Sequence, residues 1–301
     1  MSPLEVQTAG EQRLGGDLPS ERHAAQPRVL PRLARDRLAL TGLVIIGVFA
    51  VGAVAAPLLA SHDPNVVDAA SRLSGPSGAH PLGTDHLGRD LLSRMLFGSR
   101  WSLGTAALAT CMVMTIGVGI GTLAGYYGGA VGSIVMRVVD VLLAFPSLIL
   151  ALAVVGTLGP GIRNVIIGLV VIWWVDYARI VRGMVLALRE REFVVAARAL
   201  GATDRHLVVR HLLPNVVPPV AVLASLEMGT LILAISGLSF LGLGVQPPTP
   251  EWGAMLNEGR PFLQSAPLLM VYPGLAISLV VLGFNLLGDG LRDVLDTRLE
   301  T

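Results

Sequence analysis

The chain has 301 residues, of which 53% are hydrophobic and 14% charged, with a mean hydropathy of +0.68 and a formal net charge of +1. These values lie outside the range of a soluble globular chain and make lipid the expected solvent, and no nucleic-acid partner is expected. All 22 basic residues are arginine, so a phosphate-binding loop of the Gly-Lys-Ser/Thr type and a Schiff-base amine are both excluded.

Residues 1–37 are polar, hold six arginines and read as a disordered tail. Six apolar segments follow that are each long enough to cross about 30 Å of hydrocarbon: 38–60, 102–126, 133–157, 164–186, 216–243 and 266–287. The first is too long, and begins too far into the chain, for a signal peptide. Between the first two spans, residues 61–100 form a long connection. Thr84 and Asp85 can cap a helix there, and Leu87, Leu91, Leu92, Met95 and Leu96 fall on one arc, which predicts an amphipathic helix along the membrane surface or packed over the bundle.

The second span carries Gly117, Gly119, Gly121 and Gly125, a ridge without side chains where another helix can approach closely, and ends in the glycine turn 125–129. Cys111 is alone, so no intrachain disulfide forms. Asp140 in the third span and Asp176 in the fourth each have an arginine three residues away, Arg137 and Arg179, and local helical pairing is expected for both. Glu227 lies 11 residues into the fifth span with no cation on its own helix. It is a candidate for the lining of a path or a subunit interface, against the alternative of a protonated carboxyl bonded within its bundle. Residues 246–252, QPPTPEW, predict a rigid turn. His80 and His86 are six apart in a loop, and no cluster shows dedicated metal-ligand spacing.

The polar island 192–215, EFVVAARALGATDRHLVVRHLLPN, separates the fourth and fifth spans. Ala196 to Leu200 has the composition of a short helix, Gly201 is a natural stop, and Pro214 suits the first turn of the next helix. An ordinary basic loop is the competing reading. Arginine counts place this island with both termini: sixteen arginines share that side and six (Arg72, Arg89, Arg94, Arg100, Arg163 and Arg260) fall on the other, so the island is expected to face the cytoplasm.

The island resembles the EAA loop of ABC-importer permeases, with Ala196, Ala197, Gly201, Leu213 and Pro214 in register, and Val195 and His211 standing where that pattern has Glu and Ile. Its His211-x-Leu213-Pro214-Asn215 ending is similar to the C-type permease of oligopeptide, dipeptide and nickel importers, as are residues 83–103, 238–256 and 285–299. Ile235 stands where that subfamily has an acidic residue. The resemblance covers about residues 38–299 and implies an all-α membrane protein, a bundle of six transmembrane helices like that of a type I ABC-importer permease. It implies a cytoplasmic tail 1–37, a first transmembrane helix 38–60, an external segment 61–100 and a permease core 101–290 with a coupling loop 187–215. A cytoplasmic tail 291–301 would follow.

The resemblance also implies the partners: a homologous B-type permease, two cytoplasmic ATPase subunits that bind ATP and Mg, an extracytoplasmic substrate-binding protein, and membrane lipid. No cofactor or metal is expected in this chain, and no catalysis. Coupling to the ATPase would fall to Val195, Ala196, Ala197, Arg198, Gly201, His211, Leu213, Pro214 and Asn215. Peptides are the leading cargo, with nickel and glutathione as alternatives. A stand-alone secondary transporter would show repeated halves and an ion site, neither of which the sequence displays. A membrane enzyme would show HExxH, GxSxG or paired carboxylates, which are absent from the sequence.

Overall fold

A computed structural model describes residues 36–295. The described residues form helices and irregular connections without strands, apart from one isolated bridge between Thr84 and Asp90. In chain order the helices are α1 (Arg37–Leu59), α2 (Leu91–Tyr127), α3 (Gly129–Leu143), α4 (Ser147–Leu158), α5 (Ile162–Leu188), α6 (Glu192–Ala199), α7 (Leu213–Phe240), α8 (Trp252–Gly259) and α9 (Leu268–Leu295).

α1 starts where the Asp36 carboxylate accepts the amides of Leu38 and Ala39. One side of it is large and apolar, with Val54 81% and Leu58 88% exposed, as suits a lipid-facing helix. The other side is small. A Cβ at Gly42 would lie 2.5 Å from the Gly283 carbonyl, so α1 and α9 touch backbone to backbone.

α2 and α5 form the densest contact of the bundle. Gly121 and Gly125 of α2 lie so close to α5 that an added Cβ would meet the Ala178 carbonyl at 2.6 Å and Val185 Cβ at 2.8 Å, and Gly117 is tighter still against Tyr177. The predicted glycine ridge therefore exists at the i, i+4, i+8 positions, while Gly119 turns away from it and meets nothing within 4 Å.

Four expectations are corrected. The predicted surface helix in 61–100 is absent: residues 84–90 are a loop, and residues from Leu91 onward are the first turns of the unbroken 37-residue α2. Asp90, not Thr84 or Asp85, is the cap, accepting Ser93 N–H at 2.8 Å, while Gly88 at φ +80° bars a helix through the preceding residues. At about 1.5 Å per residue α2 is about 55 Å long and outreaches the hydrocarbon at one end.

The expected single span 133–157 is broken into α3 and α4, bent by 90° at Ala144-Phe145-Pro146. Pro146 lacks an amide and disfavours helix at Phe145, and that outweighs the continuous hydropathy. Neither local ion pair forms as expected: Arg179 pairs with Asp140 across helices α5 and α3, leaving Asp176 without it. Finally, α9 runs on to Leu295, through the beginning of the expected tail 291–301. The expected disordered tail falls almost wholly on residues 1–35, which lie outside the described residues, as do 296–301.

At one end of the bundle a buried ionic cap ties the α1–α2 connection to α8. Arg89 donates to Asp85 at 2.6 Å and to Glu258 at 2.6 Å, and Arg94, 1% exposed, donates to the same Glu258 oxygen at 2.8 Å. Beside it the fully buried Glu251 caps α8 by accepting Gly253 and Ala254 amides at 2.9 Å, and accepts the Ser102 hydroxyl at 3.0 Å.

Candidate coupling surface and intramembrane acids

At the opposite end of the bundle, α5 leads through Arg189–Arg191 into the eight-residue α6. Its stop is a Schellman motif: Ala202 N–H bonds to the Ala197 carbonyl at 3.1 Å, Gly201 N–H to the Arg198 carbonyl at 3.0 Å, and Gly201 holds φ +85°. Thr203 then caps a new turn at Asp204–His206, accepting His206 N–H at 3.4 Å.

The next helix thus begins at Asp204 rather than at Pro214, which corrects the expected entry point. Between Leu207 and Leu212 the turn widens to a π-helix. Pro214 accounts for it, since its ring would crowd the carbonyl of Arg210 in a regular α-helix and it has no amide to donate. Asn215 compensates by donating its side-chain amide to the His211 carbonyl at 2.6 Å.

The resulting helix–turn–helix is anchored on one side and bare on the other. Val194, Leu207 and Leu212 are fully buried against the bundle. Tyr126, at the end of α2, donates its hydroxyl to Asp204 at 2.6 Å, and Arg198 stacks over the Tyr126 ring at 5.9 Å. Arg189 reaches back to the Gly125 carbonyl at 3.3 Å. These contacts pin the hairpin to the end of the α2–α5 pair.

On the bare side lie Phe193, Val195, Ala196 and, at the apex, Leu200, which is 89% exposed. Ala197 is half-buried, and His211 is partly covered between Phe193 and His206, its ring 6.1 Å and 5.5 Å from theirs. Leu213 is half-buried while Pro214 and Asn215 are exposed. Val195, Ala196, Ala197, Arg198 and Gly201 are thus gathered on one short unit, and His211, Leu213, Pro214 and Asn215 continue it into α7. Leu200 and Phe193 were not singled out from the sequence. The signal was available: a large apolar residue just ahead of a helix-stopping glycine in an otherwise polar island.

Glu227 stands elsewhere, well inside α7 and half-buried. Asp176 and Tyr177 of α5 lie within electrostatic reach of it, and the Tyr177 hydroxyl is buried without a hydrogen-bond partner among the described residues. Asp176, exposed on α5, thus lies within electrostatic reach both of Arg179 on its own helix and of Glu227 on α7, and sequence spacing did not bring the two acids together. His80 and His86 also part company: His80 bonds to Asp90, while His86 stacks on Phe262 at 5.4 Å beside Asp85 and Glu258.

A family model of the binding-protein-dependent transport system inner membrane component matches residues 117–301, and a model of the N-terminal transmembrane domain of oligopeptide transport permease C matches residues 28–76. The dipeptide transport system permease protein DppC of Alkalihalophilus pseudofirmus is 44% identical over 270 residues, covering 90% of this chain and 89% of that protein. The nickel transport system permease protein NikC of Escherichia coli K12 is 46% identical over 259 residues, covering 86% and 94%. The glutathione transport system permease protein GsiD of Pectobacterium atrosepticum is 44% identical over 271 residues, covering 90% of each chain. Among solved structures, the inward-facing MetNI methionine ABC transporter aligns with a TM-score of 0.48 at 22% identity, over 64% of this chain and 92% of that one.

Proposed function

Because the chain belongs to the family of binding-protein-dependent transport system inner membrane components, as an ABC-importer permease of the peptide and nickel group, we propose that it forms half the translocation path of a peptide importer. Dipeptides and short oligopeptides are the cargo of this reading, supported by the dipeptide permease among its relatives. The nickel and glutathione permeases at similar identity set the two alternatives. The cargo held by the partner binding protein decides among the three.

The observation that carries the mechanism is the hairpin 192–215: held to the bundle by buried Val194, Leu207 and Leu212, yet leaving Phe193, Val195 and Leu200 exposed among the described residues. An apolar knob on a polar, arginine-bearing island fits a groove on another protein. In this reading the partner is one of two ATPase subunits, which bind ATP and Mg and hydrolyse ATP outside this chain. Closure of the ATPases pushes α6. Tyr126 and Arg189 carry the push to the α2–α5 pair, whose glycine contact makes the two helices move together. The hairpin and both termini face the cytoplasm, a homologous B-type permease completes the path, and an extracytoplasmic binding protein docks on the cap side.

Two experiments test this. Gly201→Val forces a β-branched residue into positive φ, costing about 1–3 kcal/mol within the hairpin, and Ala196→Trp adds bulk to the exposed docking side. Both variants are expected to insert normally and hydrolyse ATP without uptake when assembled with their partners. Full uptake at normal expression would remove the coupling role.

Glu227 and Asp176 are assigned to the path or to the subunit interface. Glu227→Gln, which keeps shape and hydrogen bonding, should retain more uptake per assembled complex than Glu227→Leu. Wild-type turnover in the Leu variant would make Glu227 a packing residue only.

A further inference from the structure

We propose that His62, His80 and Asp90 form a binding site for a borderline divalent cation, of the zinc, nickel or copper type, on the face of the bundle opposite α6. One ligand atom from each residue lies within 4.8 Å of the others. The Asp90 carboxylate and His80 Nδ1 are 2.9 Å apart, and the His62 and His80 rings are 4.7 Å apart. Donors around a tetrahedral zinc at about 2.0–2.1 Å stand about 3.3 Å from one another. His80 and Asp90 therefore need only a few tenths of an ångström of adjustment, and the exposed His62 side chain is free to swing in. Two imidazoles and one carboxylate, with an open position on the solvent side for water, is a donor set that suits these ions and not magnesium or calcium, which take oxygen ligands.

The local charges point the same way. Asp90 has a side chain with no exposed surface, and arginines stand one residue before it and four after it. Both are turned away: Arg89 and Arg94 are spent on Asp85 and Glu258. One Asp90 oxygen accepts the Ser93 amide at 2.8 Å, and the other faces His80. Among the described residues that buried carboxylate is left with His80 as its direct ion-pair partner, and a cation held jointly by His80 and His62 would complete it.

The second cluster of this kind, Asp85, His86 and Glu258, is unsuited, because the two arginines already neutralise its carboxylates. Once occupied, the site would fasten three separate pieces of chain: the stretch just after α1, the loop before α2 and the cap of α2 itself. His62 is already steered there by its amide, which donates to Ser93 Oγ at 3.3 Å. The site does not rest on the cargo assigned above.

The test uses the full chain in its assembled complex, without a polyhistidine tag and stripped with chelator. Zn²⁺ is titrated and followed by calorimetry, with bound metal counted by elemental analysis and Mg²⁺ as control. One Zn²⁺ per chain is expected, and it should raise the temperature at which this subunit unfolds. His62→Ala, at an exposed position that leaves folding intact, should weaken binding tenfold or more, about 1.4 kcal/mol, and His62→Ala with His80→Asn should abolish it. Binding that is absent from the wild type, equal in the double variant or matched by Mg²⁺ would overturn the site.

Discussion

The two ends of the bundle handle charge and apolar surface in opposite ways. At the cap end, Arg89, Arg94, Asp85 and Glu251 are buried, Glu258 is partly so, and each finds its partner within this chain. At the hairpin end, most of the arginines are exposed, and Phe193, Val195 and Leu200 project into solvent. A region whose polar groups are mutually satisfied holds a shape. A region that leaves an apolar apex uncovered on a rigid base is made to be covered by something else. The same contrast accounts for the minority of arginines on the cap side: two of the six are structural members of an ion network rather than free positive charge.

The largest effect should come from breaking the cap. Replacing Arg94 by Met keeps much of the volume and removes a charge shared between Glu258 and Asp85, whose carboxylates then face each other across a single guanidinium. Removing one partner of a buried ion network costs about 3–5 kcal/mol. Glu258 retains some exposure and keeps Arg89, which puts the expected loss at the lower end of that range. Unfolding of the detergent-solubilised subunit followed by denaturant reads it directly. A wild-type midpoint would show that the cap is not what holds the α1–α2 connection to α8.

A smaller effect tests the cap by pH. Burial pushes the His86 imidazole below its ordinary value, against the opposing pull of Asp85 and Glu258. The folded state therefore takes up a proton less readily than the unfolded state. Stability is fully present above the unfolded pKa of about 6.5 and falls as pH drops below it, levelling off once the folded-state value is passed. His86→Phe, which preserves the stack on Phe262, should flatten this part of the stability profile between neutral and mildly acidic pH. An unchanged slope would assign the pH dependence to other groups.

Much of the hairpin was legible in the sequence because its determinants are local: Gly201 stops α6 through a six-residue motif, and Thr203 restarts the chain two residues later. The glycine ridge was legible for the same reason, since spacing alone places Gly117, Gly121 and Gly125 on one stripe. Contacts across the fold were not legible. Arg89 meets Glu258 across 169 positions, and Arg179 chooses Asp140 over the nearer Asp176 because the α3–α5 crossing brings it there. Pro146 was visible, but a hydropathy window averages over a single proline, and hence the 90° break passed as one span.

The smallest stability effect is expected where the functional effect is large, and that sharpens the comparison most. Leu200 touches little in this chain, so Leu200→Ser should change folding stability by no more than about 0.5 kcal/mol, the usual range for an exposed site without special contacts. If the apex fills a groove on an ATPase subunit, removing a buried leucine from that interface should cost about 1.5–3 kcal/mol of contact, enough to release the ATPase or leave it uncoupled. The pair of measurements matters more than either one. Arg94→Met should lose folded subunit while each surviving complex transports normally. Leu200→Ser should keep its folded subunit and lose ATPase copurification or uptake per complex. If Leu200→Ser instead unfolds the subunit, the hairpin belongs to the self-satisfied part of the fold and the division between the two ends disappears. If it changes neither stability nor transport, the docking surface lies on the Phe193 and Val195 flank of α6 rather than at its apex.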